Sequence, residues 1–436
     1  MLIVFTENIT PRVRYICGFI LGDLLGLRYD ISDSYETAGH PAATVLNYSK
    51  LDLRNSFAVR PAGLLHQAGI DMQLEPEMKK AGEIPVLFPV DGSDIEFDIF
   101  SASFYLLSRY EEYTNPERDS YNRFPAGAST AFRNGFLDIP VINLWADILK
   151  THLNKKFKDL EFAEKKAEWM VSYDIDNPWA HKNKSLFRLS AGLIRYLLTG
   201  RKTLAAERWN VMFRGQDDPY DSYETIFDNP GTSRIFILVG SRGRLDNHIS
   251  LKNKNWRDLI RKLSERAPVG IHPSTYSSIK AGEINKEIKT LAGLTGKEIF
   301  FSRQHYLLLD IPNTYRALEK SGIREDYSMG YSDQTGFRAG TSTPFRFYDI
   351  QEERVSGVKV FPFCMMDRTL KDYLGTDPGE AKHIVEDLVG KIKRYGGIFI
   401  PIWHNESLGT AAEWKGWKSV YLYMMENIRA NLEAHD

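Results

Sequence analysis

Two aspartates one residue apart, Asp174 and Asp176, end the stretch Trp-Met-Val-Ser-Tyr-Asp-Ile-Asp-Asn at residues 169–177. The run from Trp169 to Tyr173 is apolar and β-favouring, so it reads as a short buried strand. Residues i and i+2 of a strand share a face, which sets the two carboxylates side by side. Such a pair repels unless a proton or a cation lies between them. The plainer alternative is a loop in which one Asp caps the next helix. Other strand candidates tip the balance, because they end in matching chemistry. Val269–Ile271 runs into His272, Ile299–Ser302 into Arg303-Gln304-His305, and the strand ending at Trp403 into His404, in a chain with only ten histidines. Catalytic zinc is held by three His or carboxylate ligands with one position left open for water. Asp176, His272 and a second His make such a set, and the other Asp and the remaining His then serve as base and acid, the equipment of a hydrolase.

Strands that end in a common site need a scaffold that brings their C-terminal ends together. From residue 169 onward, strand candidates at 169–175, 234–239, 269–272, 299–302, 358–363 and 398–403 alternate with amphipathic helices at 256–266, 279–291, 313–320, 380–395 and 412–432. This alternation predicts a parallel α/β sheet, open or closed into a barrel, with ligands at the strand C-termini. The first part of the chain is different. It is rich in aromatics and turns, with strands expected at residues 1–5, 43–48 and 84–88 and helices at 99–113 and 142–153. Its acids Asp91, Glu96, Asp98, Glu111 and Glu112 read as solvated faces and helix caps. The charge-dense run 155–168 marks a boundary, giving a smaller α+β domain at 1–165 and a larger one at 166–436.

Composition excludes several classes. A chain of 436 residues with 43% hydrophobic and 26% charged residues can bury large cores, and a net charge of −1 gives no reason to expect nucleic acid as partner. Two cysteines, Cys17 and Cys364, supply neither a disulfide framework nor a cysteine metal site. The segment 15–27 is too short and too interrupted to span a bilayer, and the first residues lack a secretory pattern, so a cytoplasmic location is the default expectation. The run Gly-Ser-Arg-Gly-Arg at 240–244 lacks the spacing and the Lys of a nucleotide loop.

The order Ser-Tyr-Asp-Ile-Asp, Gly-Ile-His-Pro-Ser, Phe-Phe-Ser-Arg-Gln-His and Ile-Pro-Ile-Trp-His resembles the successive motifs of the polysaccharide deacetylases, the NodB-homology domains of carbohydrate esterase family four. The resemblance covers about residues 168–434. It implies a distorted, seven-stranded (β/α) barrel that removes acetyl groups from N-acetylated saccharides with a divalent metal, Zn²⁺ first. By the same resemblance Asp174 falls at the catalytic base, Asp176 at the metal-binding Asp, His272 at the first metal His, Arg303 at the arginine orienting the base and His404 at the general acid. Residues 1–165 resemble an accessory domain found ahead of such catalytic domains in some bacterial proteins.

The chain departs from that pattern in places. The family's second His, four residues beyond the first, is replaced by Tyr276, so His305 is the candidate third ligand and His248 the runner-up. The Asp that positions the acid His is sought at Asp326 or Asp333. Tyr276 and Trp403 offer faces for a sugar ring, and Arg338, between the glycines of Gly336-Phe337-Arg338-Ala339-Gly340, offers a guanidinium to a substrate. The substrate expected is a saccharide. The alternatives are a degenerate domain that binds glycans without hydrolysis, or hydrolysis of a non-sugar amide on the same scaffold.

Overall fold

A mixed α/β chain with two main sheets is seen in the computed structural model, which describes residues 1–183, 198–229, 231–240, 245–246, 249–280 and 282–433. The first sheet is parallel in the order β2-β1-β3-β4, from β1 (Leu2–Phe5), β2 (Tyr29–Ser32), β3 (Thr44–Asn47) and β4 (Phe57–Ala58). A hairpin of β5 (Met78–Ala81) and β6 (Ile84–Leu87) follows. Asp98 caps the helix Ile99–Leu107 by accepting from the N–H groups of Phe100 and Ser101, and every residue of that helix is buried. The single helix expected to reach Tyr113 is broken at Arg109, whose φ of 56° is left-handed, and a second short helix runs Tyr110–Thr114.

That break explains an incorrect expectation about Glu111 and Glu112, which are neither solvated nor caps. Both are buried against the fully buried Arg109, and Glu112 also holds Arg338 at 2.7 Å. Removing Glu112 takes the carboxylate from buried Arg338 and leaves Arg109 with Glu111 alone, which costs about 3–5 kcal/mol for a broken buried pair. Glu112→Ala is therefore expected to lower the free energy of unfolding by that amount, and an unchanged urea unfolding curve would contradict it. Arg12, also fully buried, reaches Glu353 in the same way, so residues on both sides of the 155–168 run share one apolar core.

The second sheet starts after β7 (Ala167–Trp169), which pairs separately with β16 (Gly397–Phe399). Its order is β13-β14-β12-β11-β10-β9-β8-β17-β15. The strands are β8 (Val171–Ile175), β9 (Ser233–Ile237), β10 (Val269–Ile271), β11 (Phe301–Ser302), β12 (Glu325–Asp326), β13 (Phe345–Asp349), β14 (Arg354–Val360), β15 (Met365–Met366) and β17 (Pro401–His404). All neighbours are parallel except the β13–β14 pair. Residues 361–364 link β14 to β15 along the chain. Phe361 N–H donates to Asp326 O, Phe363 N–H to Met329 O and Cys364 N–H to Ile400 O.

Strand parity sorts the side chains into two apolar clusters. Val171, Tyr173, Ile175, Ile235, Ile237, Ile271 and Trp403 belong to the large helix-facing core. Met170, Phe236, Tyr327, Phe361, Phe363 and Ile402 form a second, smaller cluster. Asp174 has the parity of Met170, and His404 that of Ile402, so both carry polar chemistry on the side of the smaller cluster. Close packing there needs Gly270: a Cβ would lie 2.7 Å from the Phe236 ring. Cys17 and Cys364 are buried free thiols. Among the described residues no helix is long and apolar enough to cross a membrane.

Candidate metal centre

Parallel pairing without offset brings the strand ends level. Ile175 aligns with Ile237, Ile237 with Ile271 and Ile271 with Ser302, and Asp176, His272 and Arg303 each directly follow a member of this row. On the other side His404 aligns with Asp174. Residues up to 230 positions apart in the chain are thus placed around one point by register alone.

At that point His272 Nε2 is 3.2 Å from Asp176 Oδ1 and His305 Nε2 is 3.6 Å from Asp176 Oδ2. One ligand atom from each of the three residues lies within 4.8 Å of the others. Each imidazole is anchored through its other nitrogen. His272 Nδ1–H donates to Arg303 O at 2.6 Å, and His305 Nδ1–H donates to Asp246 Oδ1 at 2.9 Å. Both Nε2 atoms are left facing Asp176. Asp246 is itself fixed by Thr275, whose N–H and hydroxyl donate to it at 2.9 and 2.8 Å.

The donor set fits a divalent cation. A tetrahedral shell with bonds of about 2.0–2.1 Å separates its ligand atoms by about 3.3 Å, close to the 3.2 and 3.6 Å found. Asp176 Oδ1 is buried and accepts no hydrogen bond although His272 Nε2 is beside it, as expected where both aim lone pairs at a third atom. Imidazoles that donate through Nδ1 to a carbonyl and a carboxylate are arranged as metal-ligating histidines generally are.

The charges are strongly coupled. Burial disfavours ionised Asp176, but His305 and His272 outweigh it and hold the carboxyl well below its ordinary range. Burial lowers the His305 imidazolium, whereas Asp176 and then Asp246 override this and push its pKa up to about 9. A cation held between these groups would take the place of that proton.

Two further groups flank the three. Arg303, fully buried, donates from Nη1 to Asp174 Oδ1 at 2.9 Å and from Nε to Tyr327 O at 3.0 Å. His404 Nδ1–H donates to Asp367 Oδ1 at 2.8 Å, and its Nε2 lies 3.8 Å from Asp176 Oδ2. Burial alone would lower the His404 pKa; Asp367 in first place, then Asp176 and Asp174, raise it to about 10. Asp367 also accepts from the His404 N–H at 2.8 Å and from Ser407. Asp174, Asp176, His272, His305, His404 and Glu406 are among the residues lining one cavity of about 530 Å³.

The remaining sequence expectations fall elsewhere. Trp403 has the opposite parity to His404; it is buried in the helix-facing core, with its indole N–H on Met424 Sδ. Arg338 is buried against Glu112 and donates to Gly330 O at 3.0 Å, so its guanidinium is spent on holding the fold. Tyr276, in the short helix Thr275–Ile279, is 39% exposed beside Lys280 and does not line the cavity. Asp326 braces Ser302 and Ser328 at 2.7 and 2.9 Å, and the acid on His404 is Asp367 rather than Asp326 or Asp333. His248 and residues 241–244 lie outside the described residues.

Asp246 and Asp367 are the participants that sequence reading missed. Asp246 lies nine residues beyond the end of the preceding strand β9, too far for strand alternation to set its side. Asp367 does follow a strand, in Cys364-Met365-Met366-Asp367, but β15 has only two residues and is too short to be read as one.

Comparison with known proteins places part of the chain. A family of unknown function, DUF7033, matches residues 2–158, less than half of the chain. No curated protein matches. Among solved structures, a candidate polysaccharide deacetylase from Mycobacterium smegmatis is 12% identical over 63% of this chain and 87% of its own, with a TM-score of 0.38. A polysaccharide deacetylase from Bacillus cereus is 11% identical over 63% of this chain and 93% of its own, at 0.28. A 4-α-glucanotransferase from Thermococcus litoralis is 13% identical over 63% of this chain and 38% of its own, at 0.35. At these scores the likenesses identify neither a family nor an activity for this chain.

Proposed function

We propose that this protein is a metal-dependent hydrolase that removes acetyl groups from an N-acetylated saccharide. The observation that carries the reading is the convergence of Asp176 with two imidazoles whose Nδ1 atoms are already tied to Arg303 O and Asp246, beside Asp174 and His404 in one cavity. On this reading residues 166–436 are the catalytic domain, the row of strands is a distorted barrel closed through Phe361–Cys364, and residues 1–165 are an accessory domain.

Asp176, His272 and His305 would hold the ion, Zn²⁺ being the best match to one carboxylate and two imidazoles. When bound, a divalent ion supplies Lewis acidity and acidifies water. Asp174, oriented by Arg303, accepts a proton from the water that attacks the acetyl carbon. His404, held as imidazolium by Asp367, gives its proton to the amine as the C–N bond breaks, and acetate and a free amino sugar leave. The reading is tested by acetate release from a panel of N-acetylated mono- and oligosaccharides. Hydrolysis that stops with a chelator and returns with Zn²⁺ supports it; metal-loaded protein that hydrolyses none of the panel contradicts it.

Two outcomes follow for the groups that orient the site. Asp246→Asn weakens the anchor of His305 and is expected to reduce metal affinity about 10- to 100-fold, as loss of such outer partners does, measured by competition with a chromogenic chelator. Asp367→Asn removes the main group that raises the His404 pKa. The acid form of His404 is lost as pH rises through its pKa, so the alkaline limb of kcat is expected at lower pH in the variant than in the native protein. An unmoved limb would remove His404 from the acid role.

A further inference from the structure

Besides acids and imidazoles the cavity is lined by Tyr306 and Tyr373, and Tyr121, which does not line it, packs against Tyr306. Tyr121 and Tyr373 are among the large side chains that the fold leaves open, at 38% and 46% exposure. The Tyr121 and Tyr306 rings lie 5.3 Å apart at 34°. One guanidinium ties the group together: Arg123 is 4.8 Å from the Tyr121 ring centre and donates to Tyr306 O at 3.0 Å, to Tyr373 Oη at 3.3 Å and to Asp119 Oδ2 at 2.7 Å. Arg123, Tyr306 and Tyr373 line the same cavity as His305.

These side chains come from three separate parts of the chain: the 119–123 turn, the residue after His305, and the short helix Thr369–Tyr373. Tyr306 and Leu307 both adopt left-handed backbone, φ 57° and 54°, a conformation costly for residues other than glycine. The cost brings Tyr306 beside Tyr121, and Arg123 holds its carbonyl there. A scatter of surface tyrosines would need neither the turn nor the buried guanidinium.

The charges beside these tyrosines say what kind of group fits. Arg123 is neutralised by Asp119, and Arg368 by Asp372 at 2.9 Å and by Glu406. Neither cation is free for a phosphate or carboxylate. Aromatic faces rimmed by hydroxyl and N–H donors suit instead a neutral polyhydroxylated ring, whose C–H face packs on aromatics while its hydroxyls hydrogen-bond at the edge.

We propose that Tyr121, Tyr306 and Tyr373 form a second saccharide subsite, so that the substrate is an oligosaccharide or glycan chain whose neighbouring ring stacks on this platform while the acetylated ring reaches Asp176. The proposal rests on the deacetylase reading for the ring in the cavity. It gives residues 119–123, within the stretch matched by DUF7033, a direct part in binding substrate.

The test compares kcat/KM for N-acetylglucosamine with that for its oligomers of two to six units. The ratio of pentamer to monomer is expected to be large in the native protein and to fall about tenfold, equivalent to about 1.4 kcal/mol, in Tyr121→Ala, with Tyr121→Phe restoring most of it. A native protein without length preference, or a ratio unchanged in Tyr121→Ala, overturns the subsite. If no oligomer is hydrolysed, calorimetric titration with the same oligomers and with a panel of other neutral oligosaccharides separates the two readings. Length-dependent binding that Tyr121→Ala weakens upholds the subsite while the deacetylase reading fails. Absence of binding in the native protein overturns the subsite as well.

Discussion

Asp174→Asn is expected to bind metal as the native protein does while hydrolysing about 10²- to 10⁴-fold more slowly, the range of a positioned general base. The two carboxylates differ in their neighbours. Asp176 faces two imidazole Nε2 atoms, whereas Asp174 Oδ1 is taken by Arg303 and its Oδ2 is 3.9 Å from His272 Nε2. Asn keeps the shape and can still accept from Arg303 through its carbonyl, but its amide cannot take a proton from water. Rate and metal content should therefore separate in this variant. Acetate release under saturating substrate, with metal measured by mass spectrometry on the same sample, makes the comparison. Full activity in Asp174→Asn would mean that the base lies elsewhere.

His305→Ala should do the reverse and lose metal and activity together. On the proposed reading His305 is the third ligand, and its Nδ1 is fixed by Asp246, so its Nε2 has one direction to face. Removing a direct ligand is expected to exceed the roughly 10- to 100-fold penalty for losing an outer partner. The native protein should retain about one equivalent of metal through gel filtration and the variant almost none. Retention of a full equivalent by His305→Ala would point to another third ligand, with His248 the first to examine.

How far the sequence foretold these positions depends on how local each constraint is. The buried strand that ends in Asp174-Ile175-Asp176 was readable because period-two alternation lies entirely within one stretch. The histidines at 272, 305 and 404 stood out because each follows an apolar run, and the structure gathers all three around Asp176. The carboxylates that orient them were not readable. Asp246 lies 59 residues before His305, and Asp367 37 residues before His404; partners that far apart share no periodicity.

Errors among the proposed substrate contacts have a similar origin. Trp403 is adjacent to His404, and in a strand adjacency means the opposite face. Arg338 sits between glycines, yet the space near it is taken by Glu112, 226 residues away. The single helix expected across 99–113 breaks at Arg109, a left-handed residue whose buried guanidinium pairs with Glu111, Glu112 and the distant Tyr331, which helix periodicity does not anticipate.

The most direct test is an anomalous difference map, at the zinc absorption edge, from a crystal grown with Zn²⁺. One peak is expected, with bonds of about 2.0–2.2 Å to an Asp176 carboxylate oxygen, His272 Nε2 and His305 Nε2, and with Asp174 and His404 outside the ligand set. No peak among these three residues, or a peak whose protein ligands include His404 in place of His305, would contradict the proposed centre.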